Sequence, residues 1–134
     1  MSIDWRKYWW QPGFALAFFA VGVPYWLVPY SKLNLPDALS GAGLAVVFAA
    51  AAVARMHAGK SFMRVVMVMG AVVPAVVMTR VVMDGVRDAT SHNLWPLEII
   101  IAVFVGGATA LAGTLIGSVM LWLIRRGRDD ESTG

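Results

Sequence analysis

The sequence predicts an all-α polytopic membrane protein: one domain, residues 1–134, folded as a four-transmembrane-helix bundle with short loops. Three observations predict this. Hydrophobic residues make up 59% of the chain and charged ones 14%, with a mean hydropathy of +0.69, a balance outside the soluble globular range. A water-soluble chain this small needs far more polar surface to cover its core. The apolar residues gather into four runs, at 12–30, 36–56, 62–85 and 96–124, and each reaches the roughly 20 residues that cross a hydrocarbon core of about 30 Å. The runs are continuously apolar instead of alternating, which excludes a transmembrane β-barrel.

Charge distribution is the third observation, and it sets the topology. Arg6 and Lys7 precede the first run. Arg55, Lys60 and Arg64 flank the second connection, and Arg125, Arg126 and Arg128 follow the fourth run. With four spans all of these fall on one side, leaving Lys32, Arg87 and, near the edge, Arg80 on the other. Lys/Arg excess marks cytoplasmic loops, so the expected location is an inner membrane, multi-pass, with the N- and C-termini cytoplasmic. The net charge of +3 is thereby a topology signal. It calls for no nucleic-acid partner, and the lipid bilayer is the first partner implied, with anionic headgroups next.

The first span is expected to start at Pro12, whose missing N–H costs nothing in a first helical turn. Trp9 and Trp10, with Trp5 and Tyr8, form one interfacial belt, and Tyr25, Trp26 and Tyr30 the other. Arg6 and Lys7 before an apolar run also resemble the start of a cleavable signal peptide. The aromatic n-region and the lack of a small-residue cleavage site favour a retained helix. Pro24 deprives the carbonyl of Ala20 of its donor and kinks the span, and Pro29 ends it. Asn34 and Asp37, with Pro36 between them, read as the cap of the second span. The third span carries Pro74 in its middle, which frees the carbonyl of Gly70. Beyond Arg128 the tail, 129–134, is expected to be disordered.

Two spans carry small residues at helical spacing. The second has Gly41, Ala45, Ala49 and Ala52. The fourth has Ala102, Gly106, Ala110, Gly113 and Gly117. Lipid supplies no hydrophobic drive for helix association, so close approach through small residues takes its place. Gly106, Ala110, Gly113 and Gly117 are therefore the expected helix-packing residues. Their partner is either the second span of the same chain or, along the outside of the fourth, a homo-oligomer or another membrane protein.

The stretch from Arg80 to Glu98 gathers charge beside apolar sequence. Arg80, Asp84 and Arg87 share one helical face at i, i+4 and i+7, and form a candidate functional polar cluster. Arg80 lies about 24 Å along from Arg64 at helical rise, just inside the outer edge of the hydrocarbon. It either snorkels outward beside Asp84 or faces a polar cavity. Asp88, His92, Asn93 and Glu98 form a candidate outer-loop recognition patch. Counted back about 40 Å from Arg125, Glu98 is expected outside the hydrocarbon, supporting a helix start with Asn93 as cap.

Catalytic chemistry has little to draw on. There is no Cys, so thiolate ligands and thiol nucleophiles are absent. His57 and His92 fall on opposite sides of the membrane in this topology. The acids lack a metal-ligand spacing, and no glycine motif resembles a phosphate loop. No catalytic, cofactor or metal residue is nominated, and no cofactor is expected. The expectation is a small non-catalytic accessory, assembly or scaffolding subunit. The alternative is a small oligomeric channel or transporter that uses Arg80 and Asp84.

Overall fold

Five helical elements follow one another in a computed structural model that describes residues 7–29, 41–57, 61–88 and 94–133. They are α1 (Trp10–Leu27), α2 (Ala42–His57), α3 (Phe62–Gly70), α4 (Val72–Arg87) and α5 (Trp95–Thr133). No strand occurs among the described residues. The interfacial Trp5 and Tyr30, the cap pair Asn34 and Asp37, and the turn residues His92 and Asn93 lie outside the described residues. So do the basic residues Arg6, Lys32 and Lys60.

The elements make four rods, because α3 and α4 are two halves of one. Pro74 offers no N–H to the carbonyl of Gly70, and the helix is interrupted at Ala71. Its hydrogen bonding resumes on both sides, from the Ala71 amide to the Met67 carbonyl and from the Ala75 amide to the Ala71 carbonyl (3.1 and 3.0 Å). Ser61 caps the start of α3 by accepting from the Arg64 amide at 3.4 Å. Gly41 precedes α2 with φ +119°, a left-handed conformation that a side chain would strain.

The rods close into a ring. Helix α1 packs on α2 and α4, and α5 packs on α2, α3 and α4. One core cluster joins Val21 and Tyr25 of α1, Val47 of α2, Val76 of α4 and Ala102 of α5. A second lies toward the other end and joins Ala51, Val65, Met69 and Ala110. Phe62–Arg87 taken together and Trp95–Thr133 are each long and apolar enough to cross a membrane, and Ala42–His57 is a shorter apolar helix.

Two element ends differ from the sequence expectation. Helix α1 begins at Trp10, two residues before Pro12. Helix α5 continues through Asp129 to Thr133, where a disordered tail was expected. The hydroxyls of Ser132 and Thr133 bond back to the Asp129 carbonyl (2.8 and 3.2 Å). In addition, Arg125 and Arg126 stand four residues before Asp129 and Asp130, a spacing that supports helix through opposite charge. At 39 residues and 1.5 Å per residue, α5 is about 58 Å long, far longer than the other rods.

A candidate polar clasp around Arg80

Arg80 sits on the inner face of α4 one turn beyond Val76, and is 7% exposed. Its guanidinium reaches across to the C-terminal end of α1. Nη1 donates to the Tyr25 carbonyl and Nη2 to the Val28 carbonyl, each at 2.6 Å. Nε donates to Asp84 Oδ2 at 3.3 Å, the i+4 ion pair expected from the sequence. The guanidinium also lies over the Tyr25 ring, 5.1 Å from its centroid, a favourable cation–π placement.

The local sequence explains why the Tyr25 carbonyl can take a donor from another helix. In an unbroken helix the Tyr25 carbonyl accepts from the amide of residue 29, but residue 29 is proline and has no N–H. The Val28 amide turns back to the Tyr25 carbonyl at 3.3 Å, which ends the helix. A helix C-terminus carries unsatisfied carbonyls and a partial negative charge. A buried cation placed there is hydrogen-bonded and electrostatically matched. Arg80 is thus bound to the end of α1 as well as to Asp84 on its own helix.

The other polar residues are placed as follows. Asp84 is half-buried and Arg87, in the last turn of α4, is exposed. Asp88 is the extended, exposed residue after α4, its amide donating to the Asp84 carbonyl at 2.8 Å. Glu98 is buried within the bundle. It is 7% exposed, on the inward stripe of α5 one turn before Ala102. The antiparallel register of the two rods puts it at the level of Arg80. A Cβ on Gly70 would meet Gly107 Cα, and one on Gly106 would meet Val73, so paired residue numbers add to about 178 by the arithmetic of an antiparallel helix pair. At its other end α5 extends beyond the bundle, through Arg125 to Thr133.

The small-residue stripe faces inward. Ala102, Gly106, Ala110, Gly113 and Gly117 are all buried. A Cβ on Gly106 would stand 2.5 Å from the Gly70 carbonyl oxygen. One on Gly117 would stand 2.6 Å from that of Ala52, and one on Gly113 would collide with that of Phe48. The stripe is filled by the chain's own α2, α3 and α4, so it is not available as the oligomer interface that the sequence left open. Any partner must use another face.

No family model matches the chain, and no curated protein or solved structure resembles it. Geometry alone must carry the function.

Two contacts escaped the sequence reading. Trp26, an interfacial anchor by its sequence position, donates from Nε1 to the Val76 carbonyl at 3.2 Å and so ties α1 to α4. Arg55, a topology signal by its sequence position, also donates from Nε to Ser118 Oγ at 2.9 Å and ties α2 to α5. Among the described residues no group of three His, Cys, Asp or Glu is placed to hold a metal ion.

Proposed function

We propose that this chain is a multi-pass integral protein of an inner membrane. Its four rods cross the bilayer, and both termini are cytoplasmic. It acts there as a non-catalytic accessory, assembly or scaffolding subunit. The observation that carries the reading is an outer surface made of large apolar side chains on every rod. Phe19 is 58% exposed, Leu27 77%, Met67 67%, Val86 84% and Phe104 73%. A soluble monomer rarely leaves so much contiguous apolar surface in water, whereas lipid is its natural solvent. In the same molecule Arg80 clasps α1 and Trp26 clasps α4, while the buried Thr114 bonds within its own helix to the Ala110 carbonyl. Such an interior supports a structural role.

The test is alkaline carbonate extraction of native membranes, then cross-linking and sizing in mild detergent. Retention in the membrane together with a co-purifying partner or a defined oligomer is expected. Release by carbonate refutes the membrane reading, and a strictly monomeric, partner-free particle refutes the subunit reading. Transport through Arg80 and Asp84 has less support, because all three guanidinium nitrogens of Arg80 are engaged within the chain.

A further inference from the structure

At the end of the bundle opposite Arg80, α1 and α2 leave an open apolar groove of about 590 Å³, within the range of small-molecule sites. Its origin is a crossing. The two helices meet backbone to backbone at Gly43, where a Cβ would lie 2.7 Å from both the Ala20 carbonyl oxygen and Val21 Cα. Toward Trp9 and His57 the facing residues remain small, Gly13 against Ala49 and Ala50, and the gap goes unfilled. Met69 of α3, fully buried, forms part of the floor. Leu16 and Val53, 65% and 55% exposed, form the rims.

We propose that this groove is a binding site for one acyl chain of an anionic phospholipid from the cytoplasmic leaflet; the proposal rests on the membrane reading above. Three features select this occupant. The first is length. From Val46 to His57 the groove runs about 16 Å along α2, close to half of a hydrocarbon core of about 30 Å, which is the depth of one leaflet. The second is polarity. Apart from the indole N–H of Trp9, the lining is apolar until His57, and both of these residues stand at the same end. A long apolar slot with polar groups at one mouth matches an amphiphile, not an apolar helix from a partner. The third is charge. Lys7, two residues before Trp9, and Arg64, in the first turn of α3, are exposed at this end, and Arg55 lies on the last turn of α2. These cations favour a phosphate headgroup over a zwitterionic surface with no net charge.

The full chain is reconstituted in phosphatidylcholine vesicles holding a minor fraction of chain-brominated phosphatidylglycerol or, in parallel, the same fraction of chain-brominated phosphatidylcholine. Bromine quenches tryptophan on contact, and Trp9 lines the groove. A Trp9→Phe variant isolates its share of the signal. The expected result is preferential quenching of Trp9 by the anionic lipid. Ala49→Phe, which fills the slot, abolishes it, while Ala45→Phe, one turn away on the same helix and outside the groove, leaves it unchanged. Lys7→Gln and Arg64→Gln each reduce the anionic preference by about fivefold, the factor one basic residue near an anionic surface contributes. Circular dichroism of each variant confirms retained helix.

Equal quenching of Trp9 by the two lipids overturns the proposal, as does a preference that survives Ala49→Phe. Absence of quenching by either lipid also overturns it. A chain that fails to enter the vesicles refutes the membrane reading first. A chain that enters and shows no preference refutes the groove alone.

Discussion

Replacing Arg80 tests whether the clasp holds the bundle together. Two 2.6 Å hydrogen bonds run from its guanidinium to the Tyr25 and Val28 carbonyls, with a longer contact of 3.3 Å to Asp84. Hydrogen bonds involving a charged group contribute about 1.5–3 kcal/mol each, so the two short ones set a gross scale of about 3–6 kcal/mol. Methionine at this position keeps much of the side-chain volume but leaves both carbonyls without their cross-helix donor. It also leaves Asp84 without this cation, although Asp84 is half-buried and recovers some hydration. Removing one partner of a buried pair costs about 3–5 kcal/mol. A chain unfolded within a bilayer finds alternative partners, which lowers measured values. The expected loss for Arg80→Met is therefore near the lower end, about 3 kcal/mol. Arg80→Lys is expected to lose about half of that, since a single ammonium cannot span two carbonyls and a carboxylate as the planar guanidinium does. Reversible unfolding in mixed micelles by SDS titration measures both. An Arg80→Met variant within about 0.5 kcal/mol of the parent, the range of ordinary surface substitutions, refutes the clasp. Equality of the lysine variant with the parent refutes the geometric part of the argument.

Gly106 and Gly107 form a matched pair on α5: a Cβ at Gly106 would meet the Gly70 carbonyl at 2.5 Å, and one at Gly107 would meet nothing within 4 Å. In the same titration Gly106→Ala is expected to cost about 1–3 kcal/mol through overpacking, while Gly107→Ala is neutral or gains up to about 1 kcal/mol of helix propensity. Trp26→Phe removes the bond to the Val76 carbonyl and is expected to cost about 0.6–1.7 kcal/mol. A Cβ on Gly22 would press on the Trp26 ring at 2.7 Å, so Gly22→Ala combined with Trp26→Phe is expected to cost less than the sum of the two. In proteoliposome ion-flux assays the parent, Arg80→Ala and Asp84→Asn are expected to give the same background leak; flux by the parent that either variant abolishes reverses the assignment of Arg80 to structure.

Much of this architecture is legible in the sequence, and the illegible parts share one cause. The rods follow from four long apolar runs, and the break at Ala71 follows from Pro74, because a proline removes a donor at a known address. Arg80 stands out because a charge inside a long apolar run is rare. Its acceptors do not stand out, since a carbonyl has no letter in a sequence. The available signal was Pro29, four residues beyond Tyr25, which marks that carbonyl as lacking its in-helix donor. The stripe from Ala102 to Gly117 declares close packing but not whether it turns inward or outward; only its seating on Phe48, Ala52 and Gly70 decides that. The burial of Glu98 is not legible either, because which face of α5 turns inward at that level is set by the rods packed against it. The groove is a lack of bulk at Gly13, Ala49 and Ala50, and smallness alone reads equally well as tight packing.

In the bilayer proposed for this chain, apolar contact cannot choose between helix–helix and helix–lipid neighbours, because both are equally apolar. Selectivity has to come from backbone groups and from shape. Three prolines each free one carbonyl, and each of these is met from another rod. The Ala20 carbonyl, freed by Pro24, faces Gly43 of α2. The Tyr25 carbonyl, freed by Pro29, accepts from Arg80 of α4. The Gly70 carbonyl, freed by Pro74, faces Gly106 of α5. Where the neighbour is glycine, its Cα–H is a weak donor that only a residue without a side chain brings so near. These contacts secure α1 to α2, α1 to α4 and the α3–α4 rod to α5. The remaining side of the ring, α2 to α5, uses no carbonyl freed by a proline and is closed by Gly113 and Gly117 on the carbonyls of Phe48 and Ala52, with Arg55 bonded to Ser118. Each side of the ring thus has a contact that a lipid chain cannot imitate. On this account the prolines are addresses for the neighbouring rod as much as kinks in their own.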